Sequence, residues 1–452
     1  MTTASEDGFD IAIAGFGFGG LMVLANLVRL ARHPLRIAVI APNLSGHGLA
    51  YGTRNPEHLL NVSAANMGAW AHDIAHFAEW LNTPRAADAR KALQLTHWPT
   101  AQDYAPRALY ACYLTSILHH ALAEAQQKSV TIEMIEAKAE RAQREGNQWR
   151  IDAAGSTIIA QQMVLATGNE VKPIFPKMLH QSLQQNPWQL TADDLQGKGP
   201  IAIIGTGLTA VDTVLTLRRM GYAGDILAIS RNGLLPQPHL RQVVPYAFDL
   251  SALLAQQQLS GLLRHVRRAV AQHRAAGHDW RGVVDMLRNQ TQLLWQQLSP
   301  RDQLRAARRL ATFWNVHRHR MAPEIAERLQ HDGRLRIVAS RALQLDAPDG
   351  RLRLTVTPRH GTVEILHPRL VINCTGPELN WARSSQALLQ QLLQQKAVQP
   401  HPTGLGVQAD PRYRVGEGLY AIGGLMTGQF WESTAVPELR GQAAAIAEAL
   451  CR

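Results

Sequence analysis

Cysteine is scarce in this chain, and long apolar runs are missing from it. Its 452 residues contain three cysteines, Cys112, Cys374 and Cys451, which lie far apart in the sequence. This usage favours a reducing compartment over a disulfide framework. No apolar run approaches the about 18–20 residues of a membrane span, and residues 1–7 lack the basic start of a secretory signal. We therefore expect a cytoplasmic protein without a membrane partner.

Acidic residues are fewer than lysine and arginine residues, which gives a net charge of +11. Much of the excess is arginine spaced along helix-like sequence between residues 264 and 320. Two interpretations stay open. The favoured one is a solvated helix face that also attracts phosphate-bearing cofactors, because no zinc knuckle or RNA-binding motif with interleaved aromatic residues accompanies the charge. The other is a nucleic-acid or protein-binding surface that includes Arg264, Arg267 and Arg268.

A strand, a tight glycine turn and a helix follow one another in the middle of the chain. The apolar run 201–204 ends in a Gly-x-Gly turn, after which apolar residues recur at helical spacing. This arrangement presents free backbone N–H groups and a helix N-terminus to a pyrophosphate. The residues predicted to bind the dinucleotide here are Gly205, Gly207, Leu208 and Thr209.

The strand after this turn, residues 224–230, ends next to Arg231. An NADH site favours an acidic residue at that position, whereas an arginine can pair with a 2′-phosphate through two hydrogen bonds. The sequence therefore favours NADPH over NADH. The alternative is that Arg231 merely ends a strand.

A second glycine turn lies near the start of the chain. The strand 9–14 is followed by the G-x-G-x-x-G pattern, and the strand 35–41 completes a βαβ unit. This unit ends in Asn43 where an acidic residue is usual, so Asn43 is our candidate for the ribose hydroxyls. The glycine-turn residues predicted to bind a nucleotide are Gly15, Gly17, Phe18, Gly19 and Gly20.

Two later segments repeat one pattern, in which an apolar strand ends in Thr-Gly. The first ends in Thr167-Gly168 and the second in Thr375-Gly376. A glycine there lets the backbone approach a nucleotide closely. Residues 250–330 have helical periodicity and are predicted to be a helical insertion, and 352–356 with 363–366 are predicted to be a hairpin that turns at 359–361.

Taken together, these motifs resemble the flavoproteins with two dinucleotide-binding domains. The fold class is therefore predicted to be α/β with two Rossmann-like domains. The resemblance implies an FAD domain at 1–190 and 335–452, and an inserted NAD(P)H domain at 195–334 that includes the helical insertion. It implies the cofactors FAD and NADPH, with NADH as the alternative.

A finer resemblance is to bacterial FAD/NAD(P)-binding proteins of the urate-hydroxylase-like kind. It is carried by six motifs: Gly48-Leu-Ala-Tyr-Gly-Thr53, His58-Leu-Leu-Asn-Val62, Pro106-Arg-Ala-Leu-Tyr110, Asn232-Gly-Leu-Leu-Pro-Gln-Pro-His239, Val316-His-Arg-His-Arg-Met-Ala-Pro323 and Trp431-Glu-Ser-Thr-Ala-Val-Pro-Glu-Leu-Arg440. The further cofactor-binding residues that the resemblance implies are Tyr51, Asn61, Arg107, Gly423 and Trp431. The catalytic candidates that it implies are Asn61, His239, His317 and Glu432.

One departure from the flavoprotein pattern is Gly424, which stands where the wider superfamily has an aspartate. A metal site is not predicted, because His317 and His319 have no third ligand at a familiar spacing.

The implied activity is that of an FAD-dependent NAD(P)H oxidoreductase. No Cys-x-x-Cys or Cys-x4-Cys pair follows the first glycine turn, so a dithiol relay is not expected. Electrons are then expected to pass from NADPH to FAD and on to O₂ or a substrate. We expect a single-component monooxygenase that hydroxylates a small nitrogen-containing molecule, such as a purine like urate, an amine or an amino acid, through a flavin hydroperoxide. The alternatives are a flavin reductase or oxidase without oxygen insertion, and a binding module that uses the arginine-rich insertion.

Overall fold

The computed structural model describes residues 8–358 and 361–452. The strands are β1 Phe9–Ala14, β2 Leu35–Ala41, β3 Val130–Glu136, β4 Ala139–Glu145, β5 Gln148–Ala153, β6 Ser156–Leu165, β7 Leu183–Gln184, β8 Ile201–Ile204, β9 Ile226–Ser230, β10 Leu335–Asp346, β11 Arg353–Pro358, β12 Glu364–Leu366, β13 Leu370–Asn373, β14 Arg414–Gly416 and β15 Leu419–Ala421.

Helices separate β1 from β2, β2 from β3, β8 from β9 and β13 from β14, and a long helical run lies between β9 and β10. They are α1 Phe18–Leu30, α2 Gly48–Tyr51, α3 His76–Trp80, α4 Pro84–Ala92, α5 Arg107–Gln127, α6 Leu208–Arg219, α7 Leu250–Leu254, α8 Leu259–Ala275, α9 Arg281–Arg288, α10 Thr291–Gln297, α11 Pro300–Arg309, α12 Ala311–Arg318, α13 Pro323–His331, α14 Ala387–Gln394, α15 Thr427–Phe430 and α16 Val436–Leu450. No helix in the described ranges is long and apolar enough to cross a membrane.

The first sheet has the order β14-β15-β6-β1-β2-β3, and β15, β6, β1, β2 and β3 run parallel. Helices α1, α5 and α16 cover one face, where their apolar residues form a single core with the strands. The central strands are apolar on both faces because both faces are covered. Strand β3 ends this parallel series beside β2, and its register pairs Val130–Glu136 with Leu35–Ala41.

The second sheet has the order β12-β11-β10-β9-β8-β13-β7. Its core strands β10, β9, β8, β13 and β7 are parallel, and α6 connects β8 to β9. The predicted hairpin is confirmed by the antiparallel pair β11–β12. Residues 359–360 of its predicted turn lie outside the described residues.

The predicted domain boundary at residue 335 is wrong. The strands from 335 to 373 lie in the second sheet rather than the first, with β10 beside β9 and β13 beside β8. Only the chain after β13 returns to the first sheet, through β14 and β15. The error arose because β13 ends in the same Thr-Gly pair as the strand β6 of the first sheet, and the pairing partner of a short apolar strand is not encoded in its own residues.

Residues 250–331 form seven consecutive helices, α7 to α13, as the periodicity predicted. This insertion contacts the C-terminal part of the first domain. The Nε1 of Trp295 donates a hydrogen bond of 2.7 Å to the carbonyl of Gly428, and Nη2 of Arg288 lies 2.9 Å from Oε1 of Glu438. The insertion therefore bridges the two sheets at the edge where the parallel strands end.

Candidate functional site

The first glycine turn packs against the end of β6. Gly15 has φ +103°, and a Cβ on it would lie 2.2 Å from the carbonyl oxygen of Ala166. A Cβ on Gly20 would lie 2.2 Å from the carbonyl oxygen of Gly15. Gly17 caps the N-terminus of α1. The glycines are thus required for the turn to close, and the closed turn directs the start of α1 toward the carboxyl edge of the sheet, where a pyrophosphate can bind.

The strand end facing this turn has a feature that fits a bound cofactor. The hydroxyl oxygen Oγ1 of Thr167 is buried and has no hydrogen-bond partner. Gly168 follows with φ +72° and open space on its Cβ side. Buried polar atoms are nearly always hydrogen-bonded, so a lone hydroxyl beside a glycine turn indicates a missing polar ligand. The residues present at this edge therefore fit FAD.

Gly424 is explained by its neighbour. A Cβ at this position would lie 2.5 Å from Oδ1 of Asn169, so the Asn169 side chain would have to move to admit an aspartate here. The amide of Asn169 occupies that space instead. Gly423, predicted to bind the cofactor, has φ +84° and donates its N–H to Oε1 of Gln442 at 2.9 Å.

The loops above the first turn supply an aromatic wall. Tyr51 packs on Tyr110 with ring centroids 4.7 Å apart and meets the edge of Phe18 at 6.3 Å. Burial raises the pKa of Tyr51 to about 12, so its hydroxyl stays protonated. Asn43 is exposed, and its Oδ1 accepts a hydrogen bond of 2.9 Å from the backbone N–H of Ser45. Its role toward a ribose stays a prediction.

The second glycine turn repeats the geometry of the first. Gly205 has φ +118°, and a Cβ on it would lie 2.1 Å from the carbonyl oxygen of Cys374, at the end of β13. Gly207 begins α6 and has open space around it. Thr375 and Gly376 therefore belong to this second site, where they stand as Thr167 and Gly168 stand in the first.

The remaining predicted residues of the second site lie along the same edge. Leu208 and Thr209 form the first turn of α6, and the carbonyl of Thr209 accepts a hydrogen bond of 2.8 Å from Oγ1 of Thr213. Arg231 follows β9 directly and is exposed. Its role toward a 2′-phosphate stays a prediction.

Arg107 has a different partner from the predicted cofactor. Its Nη2 lies 3.0 Å from Oδ2 of Asp212, which stands on α6 of the second domain, and the side chains of Arg107 and Asp212 are 13% and 8% exposed. Its Nε donates to the carbonyl of Leu59 at 3.2 Å. His58 contacts the same helix, because its Nε2 donates to the carbonyl of Asp212 at 3.0 Å. Arg107 and His58 thus connect the first domain to α6, the helix that follows the second glycine turn.

The predicted catalytic residues His239 and Asn61 meet across the two domains. The Nε2 of His239 lies 3.0 Å from the carbonyl oxygen of Asn61, and its ring stacks on Tyr104 at 5.0 Å. Burial and the nearby charge of Arg320 lower the pKa of His239 to about 4. Because a carbonyl oxygen only accepts, Nε2 carries the hydrogen, and Nδ1 is unprotonated and can accept a hydrogen bond at neutral pH.

Glu432 is buried beneath the insertion. Its Oε1 accepts a hydrogen bond of 2.6 Å from Nε1 of Trp314 and lies 3.5 Å from Nε2 of His319, while Oε2 lies 3.7 Å from Nε of Arg318. Burial acts to raise the pKa of Glu432, but the hydrogen bond and charge of His319, together with Arg318 and Trp314, outweigh it and lower the pKa to about 2. Glu432 is therefore an anion at neutral pH, so it can accept hydrogen bonds and pair with cations but is not a proton donor.

This depressed pKa gives a pH prediction. An unfolded glutamate has a pKa of about 4.3, so the folded chain gains stability from Glu432 above that pH and loses it as the pH falls toward 2. We expect the free energy of unfolding of the wild type, minus that of Glu432→Gln, to fall by about 1.5 kcal/mol between pH 5 and pH 3 in urea titrations. A difference that stays constant over this range would contradict the assigned contacts.

Two other predicted residues lie to either side of this cluster. Trp431 precedes Glu432, has φ +46°, and stacks on Trp295 of the insertion with ring centroids 4.5 Å apart. A left-handed tryptophan is strained, and such strain persists mainly at functional sites. His317 lies apart, with its Nδ1 2.7 Å from the carbonyl of Phe313 and its ring against Trp280. Within residues 8–358 and 361–452, no group of three or more His, Cys, Asp or Glu side chains is arranged to hold a metal.

Several residues of this site were missed as functional by sequence reasoning. Asp212 and His58 connect the domains, and Arg318 lies against Glu432. The one available signal was Asp212, a carboxylate that stands between the apolar positions Val211 and Val214 of an otherwise buried helix face. A charge in such a place is rarely left without a partner.

The chain is similar to known proteins in part of its sequence and in its overall fold. Residues 12–170 match the sequence model of a family described as FAD-NAD(P)-binding. A search of curated protein sequences gives no significant match. Among solved structures, L-lysine 6-monooxygenase from Pseudomonas syringae is similar with a TM-score of 0.61 and 17% identity, over 98% of this chain and 99% of that one.

Two further structures have the same overall fold. An ornithine N-hydroxylase from a Kutzneria species, solved with reduced FAD, NADP⁺ and L-ornithine, has a TM-score of 0.58 and 15% identity over 98% of this chain and 99% of that one. A thioredoxin reductase from Lactococcus lactis has a TM-score of 0.52 and 10% identity over 98% and 97% of the two chains.

The chain therefore has the fold of the flavoproteins with two dinucleotide-binding domains. The predicted fold class is confirmed, and the predicted cofactors FAD and NADP(H) and the oxidoreductase class agree with the family match. The resemblance to the urate-hydroxylase-like proteins and the individual site residues stay predictions.

Proposed function

We propose that the chain is an FAD-dependent monooxygenase that uses NADPH and hydroxylates a small nitrogen-containing molecule. The observation that carries this proposal is the pair of matching glycine turns, one at the carboxyl edge of each sheet, with the helical insertion spanning both domains. Two dinucleotides bound at these edges would lie on facing sides of one domain junction. Such an arrangement suits a protein that transfers electrons from one bound cofactor to the other better than a protein that only binds a single cofactor.

The residues that would hold the two cofactors follow from the two turns. Gly15–Gly20 and Thr167 would bind FAD, and Gly205–Thr209 with Arg231 would bind NADPH. When bound and reduced, FAD supplies the chemistry that activates O₂. The protein's part is to place the substrate, exclude water and hold protons.

The polar residues at the junction can do that work. The unprotonated Nδ1 of His239 can accept a hydrogen bond from a substrate N–H at neutral pH. The carboxylate of Glu432 can hold a cationic group near the same junction. The stacked rings of Trp431 and Trp295 cover this region and keep water away from it.

The comparisons support oxygenation over disulfide reduction. Two of the similar structures are a lysine monooxygenase and an ornithine N-hydroxylase. The thioredoxin reductase has the same fold, but all three cysteines of this chain are free and far apart, with Cys374 buried. Burial also raises the pKa of Cys374 to about 12, so its thiol is a poor nucleophile.

The test is turnover by the FAD-loaded chain with purines, amines and amino acids. We expect NADPH oxidation to be stimulated by one compound class, with O₂ consumed in equal amount and a product heavier by one oxygen atom in mass spectrometry. Stoichiometric peroxide without a product from any compound would favour an oxidase or reductase instead. Tight binding of nucleic acid that is lost on substituting the exposed Arg264, Arg267 and Arg268 would favour the binding module.

Arg231 gives a prediction about the reductant. A guanidinium that pairs with the 2′-phosphate contributes a charge-assisted bond, so Arg231→Ala should raise KM for NADPH by about 10- to 100-fold and leave KM for NADH nearly unchanged. The matched control is Arg219→Ala, an exposed arginine at the opposite end of α6. Equal changes in both Michaelis constants would rule out the 2′-phosphate role.

A further inference from the structure

Arg318 is a buried arginine whose hydrogen-bonding groups are mostly unused. It ends α12 in the helical insertion, and its side chain is 6% exposed. Both Nε and Nη2 are buried without a hydrogen-bond partner. The carboxylate of Glu432 is its nearest counter-charge, at 3.7 Å from Nε, which is too long for a hydrogen bond. Glu432 instead receives its short hydrogen bond from Trp314.

The surroundings of Arg318 carry charges of both signs. Burial lowers the pKa of Arg318, the charges of Glu432 and Glu438 act to raise it, and the charge of Arg288 acts to lower it. Glu438 is itself paired with Arg288 at 2.9 Å, and Oε1 of Glu432 lies 3.5 Å from Nε2 of His319. Both carboxylates are therefore shared with other cationic side chains.

Burying a guanidinium whose donors make few hydrogen bonds costs free energy. A buried charge without hydrogen bonds retains a large desolvation penalty, so natural proteins pair such groups or use them for ligands. The planar fork of arginine donors matches a carboxylate or a similar delocalised anion in both geometry and charge. Because both free atoms are shielded from solvent, an anion that reaches them would interact more strongly than it would at the surface.

Arg318 also lies at the right place in the fold. The segment that holds it runs beside residues 237–239, since the N–H of His239 donates to the carbonyl of Met321 and the N–H of Gln237 donates to that of Val316. His239 in turn contacts Asn61 of the first domain, and Glu432 follows Trp431. By contrast, Nη2 of the neighbouring Arg320 is paired with Asp285, and only Nε of Arg320 is buried without a partner. Arg318, with two such atoms and no hydrogen bond to a carboxylate, therefore has more unused donors at the domain junction.

We propose that Arg318 binds an anionic group of the substrate, so that the molecule hydroxylated by this chain carries a carboxylate or an equivalent delocalised anion beside its reacting nitrogen. This inference rests on the proposed function, because it assigns the substrate of that same junction. The proposal predicts that the substrate is a molecule such as an amino acid or urate, which carries such an anion. It predicts that plain amines, which carry none, are not the substrate.

The test compares matched ligands on the FAD-loaded chain. The pairs are L-ornithine with putrescine, L-lysine with cadaverine, and urate with neutral hypoxanthine, titrated without NADPH while the flavin absorbance spectrum and the melting temperature are followed. The variants are Arg318→Gln, Arg318→Lys and the double variant Arg318→Gln/Glu432→Gln, which leaves no unpaired buried carboxylate if the single variant unfolds. The control is Arg264→Gln, an exposed arginine of the same insertion.

We expect the anionic member of at least one pair to bind about 10-fold or more tightly than its partner in the wild type and in Arg264→Gln. The preference should disappear in Arg318→Gln and in the double variant, and should survive in part in Arg318→Lys. Equal binding of both members of every pair, no binding of any of them, or a preference that survives in the double variant would overturn the proposal. Because binding is measured without turnover, a chain that binds the anion but never hydroxylates it would refute only the proposed function.

Discussion

Gly15→Ala is expected to abolish FAD binding. The new methyl group would lie 2.2 Å from the carbonyl oxygen of Ala166, and the φ of +103° disfavours any residue with a Cβ. A left-handed strained residue costs about 1–3 kcal/mol, and the clash with the backbone adds to this, so the turn has to move away from the end of β6. The variant should be purified without the yellow colour of flavin and should not recover it when FAD is added in excess.

Two comparisons separate loss of the cofactor site from general unfolding. Gly441→Ala, on the exposed side of α16 with open space around it, should bind FAD normally. Thr167→Val removes the buried hydroxyl that has no protein partner, so it should weaken FAD binding by about 10-fold without destabilising the apo chain. If Gly15→Ala retained a full complement of FAD with an unchanged melting temperature, the first turn would not be the cofactor site.

Arg107→Met is expected to destabilise the chain by about 3–5 kcal/mol, because it leaves the carboxylate of Asp212 buried without its ion-pair partner. Burial already raises the pKa of Asp212, even though Arg107 and His58 act to lower it. Desolvation therefore offsets much of what the ion pair contributes. The ion pair therefore fixes the relative position of the two domains more than it adds to the free energy of unfolding.

A double variant tests this distinction. Arg107→Met/Asp212→Leu, which removes both charges, should recover most of the lost free energy of unfolding in urea titrations. The double variant should still reduce flavin more slowly with NADPH than the wild type does, because α6 carries the second glycine turn and loses its fixed position. Additive losses in the two single variants, with no recovery in the double variant, would show that the two residues act independently.

The glycine turns could be predicted from the sequence because each depends on local spacing. A strand, a Gly-x-Gly turn and a helix follow one another within about 20 residues, and the conformations of Gly15 and Gly205 are those that the pattern requires. The helical insertion was predictable for the same reason, since its apolar residues recur at helical intervals.

Long-range pairings could not be predicted in this way. The strand β13 ends in Thr-Gly like β6, yet it pairs with β8, and nothing in its four apolar residues distinguishes the two sheets. Arg107 and Asp212 are separated by more than a hundred residues, so their ion pair depends on how the domains pack. Arg318 carried no sequence signal either, because its significance lies in hydrogen bonds that it does not make.

The most direct test of the two-cofactor account is anaerobic reduction of the FAD-loaded chain. NADPH added without substrate or oxygen should bleach the flavin absorbance, and it should do so at a much lower concentration than NADH requires. A colourless protein that cannot be reconstituted with FAD, or bound flavin that neither nucleotide reduces, would contradict the account.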